Sequence, residues 1–233
     1  MPQILAIDTS TMACSVALLS NDTIKEEYQE LAQSHTQCLL PMVDKLLGDH
    51  QLSLQALDAI ALTIGPGSFT GLRIGLGVAQ GLAFGADLPI VGLSSLAVMS
   101  HGAFRLLQLH DNDCVIPCLD ARMQEVYWGC YNATGDVLSQ DAVAVPELVL
   151  DFIAAQTTTL IGIGDGWNCI PASGSETKKV KRIDANFYPR AHDVAVLGER
   201  SLQRGLGCSA LEIEPIYIRN TTPWKKRQKI RQS

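Results

Sequence analysis

Short runs of apolar residues separated by polar turns fill the first thirty positions, and this pattern is typical of β-strands. One run covers residues 4–7 and a second covers residues 14–19. Asn21-Asp22 marks a turn before a third run over residues 24–31. We therefore expect three consecutive strands that pair in an antiparallel way.

The spacing of the apolar residues becomes helical after these strands. Ser34 and Gln37 predict a capping box at the start of a helix over residues 34–48, because each side chain can bond a free amide at the helix start. The further elements predicted for the first hundred residues are a strand over 57–64, a helix over about 70–85, a strand over 89–93 and a helix over 94–107.

This order of elements is that of one lobe of the actin/sugar-kinase/Hsp70-like (ASKHA) fold. A similar but less regular order of elements begins at Asp113. It consists of strands over 115–119, 125–131 and 159–163, helices that begin at Pro146 and His192, and an extended segment over 213–218. We predict an α/β protein with a two-lobed ASKHA fold and a reduced second lobe. Its parts are an N-terminal lobe over 1–108 that carries the partner interface, a smaller lobe over 109–218 and a basic tail over 219–233.

The composition is that of a folded cytoplasmic protein. Hydrophobic residues make up 47% of the chain and charged residues 18%, which excludes a disordered chain. Seven cysteines without a pairing rhythm indicate free thiols in a reducing compartment. No apolar stretch suits a membrane span and no secretory signal opens the chain, so we expect no membrane partner.

The charge is divided unevenly along the sequence. The net charge is −6, yet six basic residues and no acidic one occur from Arg219 onward, so the remainder carries a net charge of −12. An acidic body does not favour independent nucleic-acid binding. Within a larger assembly, Lys225, Lys226 and Arg227 of the tail are candidates for contacts with RNA phosphates.

The predicted turn between the first two strands carries Asp8, Thr9, Ser10 and Thr11. In phosphate-transferring ASKHA proteins this turn reads Asp-x-Gly-x-Thr, and its amides and hydroxyls face the phosphates. Here Ser10 replaces the glycine, so the backbone approaches an anion less closely. Two interpretations stay open: a degenerate phosphate loop, or a hydroxyl-rich hairpin that satisfies its own backbone.

The second predicted helix contains two rows of small residues at a spacing of four. Each interior glycine costs roughly 1 kcal/mol relative to alanine, so close backbone packing must return that stability. One row is Gly71, Gly75, Ala79 and Ala83, and the other is Gly77, Gly81 and Gly85. We expect one row to face each way, and we predict that this helix packs against a partner; the alternative is packing onto its own sheet.

The first two helices are therefore the candidate partner or dimer interface. Its predicted residues are Leu39, Leu40, Val43, Leu46, Leu47, Gly71, Arg73, Gly75 and Ala79. The five histidines show no metal-binding spacing, and no nucleophile elbow occurs. We expect no catalytic residue and no metal ligand in this chain.

Together these residues resemble the TsaB (YeaZ) family, whose members take part in the synthesis of threonylcarbamoyladenosine on tRNA. The resemblance covers nearly the whole chain. It is carried by Asp8-Thr9-Ser10, His35-Thr36-Gln37, the stretch from Gly65 to Gly75, Asp120-Ala121-Arg122 and Pro215-Ile216-Tyr217-Ile218-Arg219. The related catalytic subunit, TsaD, binds a metal through two histidines that align here with Ser95 and Met99, which are poor replacements for imidazoles.

The resemblance implies a non-catalytic subunit that binds TsaD, with TsaE, in the transfer of threonylcarbamoyl to adenosine next to the anticodon. ATP, Mg²⁺ and a metal are then expected on the partner subunits, with none bound by this chain alone. It also implies a homodimer when the chain is alone, and contact with tRNA only inside the complex. The alternative is an independent ATP-dependent phosphotransferase of the sugar-kinase type, which needs a general-base aspartate and two intact phosphate loops.

Overall fold

The computed structural model describes residues 2–30, 35–171 and 177–219, and it contains two five-stranded sheets. The predicted capping residue Ser34 and the tail cations Lys225, Lys226 and Arg227 lie outside the described residues. The first sheet consists of β1 (Ile4–Asp8), β2 (Ala13–Ser20), β3 (Thr23–Glu30), β4 (Ala59–Gly65) and β5 (Ile90–Ser94). The second consists of β6 (Asp113–Asp120), β7 (Val126–Tyr131), β8 (Val137–Ala144), β9 (Thr159–Ile163) and β10 (Val180–Asp184).

The two sheets have the same topology. The strand order is β3-β2-β1-β4-β5 in the first and β8-β7-β6-β9-β10 in the second. In both sheets, the first three strands of the chain pair antiparallel. The fourth strand pairs parallel with the first, and the fifth strand pairs parallel with the fourth. The duplicated order confirms the predicted α/β, two-lobed ASKHA fold. Two strands of the second sheet, β8 and β10, were not expected from the sequence.

Five α-helices accompany the sheets within the described ranges. They are α1 (His35–Asp49), α2 (Phe69–Ala86), α3 (Ser95–Leu107), α4 (Pro146–Ala155) and α5 (Ala191–Gln203). Helices α1 and α2 share a core with one face of the first sheet, where Leu5, Val16 and Leu62 are buried. Helix α5 covers the opposite face, where Ala6 and Ala61 are buried. The first sheet is therefore covered on both faces.

The position of α5 corrects the predicted second lobe over 109–218. This helix follows the second sheet in the chain, yet its first amides are bound by the first sheet: Ala191 N donates to Ser15 Oγ at 2.8 Å, and His192 N donates to Glu26 Oε1 at 3.0 Å. Farther along, Ile216 N donates to Ile64 O at 2.8 Å. The segment from Arg190 to Tyr217 thus makes these contacts with the first lobe, although it follows the second sheet in the chain.

A buried carboxylate fixes α5 against α3. Asp193 is fully buried and accepts hydrogen bonds from His101 and Arg105, with Arg105 Nη2 at 2.7 Å. Burial alone raises the pKa of Asp193, but these hydrogen bonds and the nearby positive charge outweigh burial and lower it overall. Gly102 leaves the space that the carboxylate occupies. The contact joins the two helices by an ion pair inside the protein.

Within the described parts of the chain, none of the helices combines the length and the apolar character that crossing a lipid bilayer requires.

Candidate functional site

The β1–β2 turn packs directly on the loop that follows β4. Asp8 ends β1 and is fully buried. Its Oδ1 accepts hydrogen bonds from Thr63 Oγ1 at 2.5 Å and from Ser10 Oγ at 2.7 Å. Its Oδ2 is buried and has no hydrogen-bond partner among the described residues. The neighbouring hydroxyl of Thr9 donates to Gly71 O at 2.8 Å. Apart from Asp8 Oδ2, the side-chain polar groups of Asp8, Thr9 and Ser10 are thus hydrogen-bonded within this chain.

Burial dominates the acidity of Asp8. Removal from water raises its pKa from 3.8 to about 6, because the charged carboxylate loses its hydration. The hydrogen bonds from Thr63 and Ser10 favour the charged form and offset only part of this effect. A buried carboxylate without an open path to water is poorly placed to receive a proton from a bound substrate.

Three glycines let the loop and the start of α2 approach the turn. Ser68 N donates to Ser10 O at 2.7 Å, and a Cβ on Gly67, Gly71 or Gly75 would lie under 3.0 Å from atoms of Ser10 or Thr9. The backbone therefore fills the space next to the turn. Asp8, Thr9, Ser10 and Thr11 are all buried, which favours the self-satisfied hairpin over a phosphate loop.

These contacts correct the predicted orientation of α2. Gly71, Gly75 and Ala79 were expected in the partner interface, but all three are buried against their own lobe. The reason is the β1–β2 turn, which occupies the side of α2 that this row faces. The sequence showed two opposite rows and did not show which one the turn would cover.

The predicted interface residues of α1 are mostly in the core as well. Leu39, Val43 and Leu46 are buried and Leu47 is partly buried in the core beneath α1 and α2. Leu40 is half-exposed, and Arg73 of α2 is exposed. The predicted interface residues of α1 thus mainly cover their own sheet, whereas Leu40 and Arg73 are exposed at the surface.

The other glycine row points outward. A Cβ on Gly77, Gly81 or Gly85 would meet no atom of the described part of the chain within 4 Å. Phe84, which precedes Gly85, is 71% exposed. The outer face of α2, which we define as Arg73, Gly77, Gly81, Phe84 and Gly85, is therefore open to close approach by another backbone.

An aromatic and cationic cluster begins at the N-terminal end of this outer face. The Arg73 guanidinium lies 3.9 Å from the centroid of the Phe69 ring, and Arg73 Nε donates to Tyr217 Oη at 3.1 Å. Phe69 and Tyr217 are both about half-exposed. Tyr217 is 144 positions from Arg73, so no local sequence pattern indicated this contact.

The structure also joins two motifs that are distant in the sequence, Asp120-Ala121-Arg122 and the end of Pro215–Arg219. Arg219 Nη2 donates to Ala121 O at 3.0 Å and pairs with Glu125. The carboxylate of Asp120 accepts hydrogen bonds from the backbone amide and from the guanidinium of Arg122. The turn between β6 and β7 is thus tied to the end of the described chain.

The two positions aligned with metal-binding histidines lie in the core. Ser95 and Met99 are fully buried, and Met99 packs with Leu96 and Val115. Among the side chains of residues 2–30, 35–171 and 177–219, no group of three or more His, Cys, Asp or Glu is placed to hold a metal ion. The chemistry of Ser95 and Met99 does not fit a hard or borderline cation.

Comparison with known proteins identifies the family. A family model described as TsaD, tRNA N6-adenosine threonylcarbamoyltransferase, matches residues 19–219. The tRNA threonylcarbamoyladenosine biosynthesis protein TsaB of Escherichia coli is 39% identical over 96% of this chain and 97% of its own length. The TsaB protein of Haemophilus influenzae is 40% identical over 96% of each chain. The chain belongs to the TsaB (YeaZ) family.

Solved structures of the TsaB (YeaZ) family agree with this assignment. YeaZ from Pseudomonas aeruginosa is 38% identical, with a TM-score of 0.80 over 93% of this chain and 100% of its own. A second Pseudomonas aeruginosa structure, described as similar to peptidase YeaZ, has a TM-score of 0.82. The predicted resemblance to this family is confirmed.

Proposed function

We propose that this TsaB-family chain acts in tRNA threonylcarbamoyladenosine biosynthesis as a non-catalytic subunit that binds a catalytic subunit of the TsaD type. The names of its relatives in Escherichia coli and Haemophilus influenzae support the pathway. TsaE is the proposed third component, and ATP, Mg²⁺ and a metal ion are assigned to the partner subunits.

The observation that carries the non-catalytic role is the filled β1–β2 turn. A phosphotransferase of this fold needs amides and hydroxyls that face a phosphate, with a carboxylate that reaches the substrate. Here Thr9 and Ser10 bond within the chain, and the loop containing Gly67 covers them. The buried Ser95 and Met99 offer no metal ligands in the place where the related catalytic subunit has two histidines.

The surface that supports partner binding is the outer face of α2 together with the half-exposed Leu40 of α1. Glycines at Gly77 and Gly81 allow a second helix to approach closely, and Phe84 supplies an exposed aromatic ring. We assign this surface to the TsaD-type partner and to a second copy of the chain when the partner is absent.

RNA contact is proposed only within the complex. The described body is acidic, and the cations that follow it, Lys225, Lys226 and Arg227, are the candidates for contact with tRNA phosphates. Binding of tRNA by the assembled complex should then weaken with salt more steeply than binding by a variant in which these three residues are replaced by alanine.

The interface is tested by Gly77→Leu, with Ala154→Leu on the exposed face of α4 as the matched control. The added leucine holds the partner helix away, and overpacking of about 1–3 kcal/mol corresponds to roughly five- to 150-fold weaker binding. Titration calorimetry with the TsaD-type subunit measures the affinity, and light scattering measures self-association. Both variants should unfold at the temperature of the unmodified chain or slightly above it.

Undiminished partner binding by Gly77→Leu would remove the outer face of α2 from the interface. The catalytic alternative is tested separately, by titrating the chain alone with ATP and Mg²⁺. Tight binding with hydrolysis that Asp8→Ala abolishes would overturn the non-catalytic role.

A further inference from the structure

The start of α2 and the end of the described chain form one surface cluster. Ile216 N donates to Ile64 O at 2.8 Å, and a Cβ on Gly65 would lie 2.6 Å from Ile216 O. The side chain of Gln80 on α2 donates two further hydrogen bonds to backbone oxygens of the same returning segment, at 3.0 and 3.3 Å. The backbone that leads to Tyr217 is therefore fixed against the first lobe.

This fixed backbone holds the Arg73 side chain in one arrangement. The Arg73 guanidinium lies 3.9 Å from the centroid of the Phe69 ring, and its Nε donates to Tyr217 Oη at 3.1 Å. The two aromatic rings also contact each other, with their centroids 5.7 Å apart. Because one flat face and the Nε of the guanidinium are already used, the two Nη groups are left. They form the donor fork that binds a carboxylate through two hydrogen bonds.

Within the part of the chain that the structure describes, no carboxylate pairs with this fork. Four other arginines, Arg105, Arg122, Arg190 and Arg219, each pair with an aspartate or a glutamate of this chain. Arg73 is exposed, and it contacts aromatic side chains instead. Arginine and tyrosine are enriched among the residues that supply most of the binding energy in protein interfaces, so the cluster has the composition of such a site.

We propose that Arg73 binds a carboxylate of the TsaD-type subunit, supplied by an aspartate or a glutamate on the element that packs along the outer face of α2. This inference rests on the proposed function, since it concerns the same surface. The pair would set the position of the partner along α2, because Gly77 and Gly81 admit a backbone without fixing its register. Tyr217 acts as a positioning residue for the guanidinium.

A protein carboxylate fits this place better than an RNA phosphate does. The glycines that follow Arg73 on the outer face suit close packing of a second helix, and the described body of the chain is acidic, which repels RNA. The half-exposed rings of Phe69 and Tyr217 would exclude water from the ion pair once the partner covers them.

The partner affinity of Arg73 variants tests this pairing. Titration calorimetry of the full chain with the purified TsaD-type subunit should show about 10- to 100-fold weaker binding for Arg73→Gln. Arg73→Lys keeps the charge but loses the planar fork, so it should weaken binding nearly as much. The matched control is Arg200→Gln, which removes an exposed arginine of α5 on the opposite face of the first sheet and should leave the affinity unchanged.

Replacement of Tyr217 separates positioning from packing. Tyr217→Phe keeps the ring beside Phe69 and removes the oxygen that accepts from Arg73 Nε. It should weaken partner binding severalfold in the unmodified chain but change it little in Arg73→Gln, because the hydroxyl acts through the guanidinium. Equal weakening in both backgrounds would contradict the positioning role.

Chemical cross-linking identifies the group on the partner. A carbodiimide joins an amine to a carboxylate as an amide and takes up the water that is released. The amine introduced by Arg73→Lys should therefore become linked to an aspartate or a glutamate of the TsaD-type subunit, which mass spectrometry of the saturated complex detects. No link to that subunit, or a link only to a second copy of this chain, would overturn the proposal.

The remaining outcomes separate this inference from the proposed function. Undiminished partner binding by Arg73→Gln would overturn the inference alone. Weaker tRNA binding by the assembled complex, with an unchanged affinity between the subunits, would assign Arg73 to an RNA phosphate and would equally overturn it. Failure of the unmodified chain to bind the TsaD-type subunit would refute the proposed function and this inference together.

Discussion

Replacement of Asp8 by asparagine tests the physical account of the β1–β2 turn. The carboxylate is fully buried, and no described residue donates a hydrogen bond to its Oδ2. Asparagine has nearly the same shape and keeps an oxygen that accepts from Thr63 and Ser10, but it carries no charge. The variant therefore removes the titration of this position with little change in packing.

The direction of the pH effect follows from proton binding. The folded protein holds a proton on Asp8 up to a pKa of about 6, whereas the unfolded chain releases it near 3.8. Because the folded state binds the proton more tightly, the proton on Asp8 stabilises the folded state. This stabilisation is complete below the lower pKa and is lost as the pH rises through the upper pKa. The pKa difference corresponds to about 3 kcal/mol, at about 1.4 kcal/mol per unit.

The contribution of Asp8 titration to stability can be isolated by urea unfolding. The unmodified chain and Asp8→Asn are compared from about pH 4.5 to about pH 7.5. Across that range the stability of the unmodified chain should fall relative to the variant by roughly 2 kcal/mol, since part of the effect lies at lower pH. Titrations common to both proteins, including that of Asp193, cancel in the difference. Asp151→Asn, at an exposed position of α4, is the control for the change in net charge. Parallel stability curves for the unmodified chain and Asp8→Asn would refute the reasoning.

The remaining predictions concern the two rows of α2 and the buried ion pair. Gly75→Ala should destabilise the fold by about 1–3 kcal/mol because its Cβ would collide with Thr9. Gly77→Ala should instead stabilise it by about 0.5–1 kcal/mol, and equal effects in thermal melts would contradict the assigned orientation. Asp193→Asn should cost about 3 kcal/mol at neutral pH in urea unfolding, because Arg105 loses its charged partner; a cost under about 1 kcal/mol would contradict this account.

The candidate site was predictable only in part from the sequence. The row of small residues that contains Gly71 and Gly75 indicated close backbone packing, and the structure places that packing at Thr9. The sequence could not show that the β1–β2 turn packs against the row of small residues that contains Gly75 and leaves the row that contains Gly77 exposed. That choice depends on which side of α2 meets the sheet, and two rows of small residues satisfy helical spacing equally well.

Local patterns determined the order of the elements and most of their bounds. The helix predicted over about 70–85 is Phe69–Ala86 in the structure. It begins there because Ser68 caps its start and because the glycines of the loop before it do not favour a longer strand β4. Strand β8 was missed because it lies at the edge of its sheet with mostly exposed or half-exposed side chains, and such a strand carries little apolar alternation.

Only the tertiary structure decided which distant parts of the chain meet. Helix α5 covers the first sheet through Ser15, which is 176 positions from Ala191. Arg219 donates a hydrogen bond to the backbone oxygen of Ala121, which is 98 positions away. These contacts are made by ordinary polar groups whose partners are chosen by strand order and by the path of the chain, so no local pattern of apolar and polar residues records them. The sequence alone determined the duplicated lobes and the family, since both rest on local order and motifs.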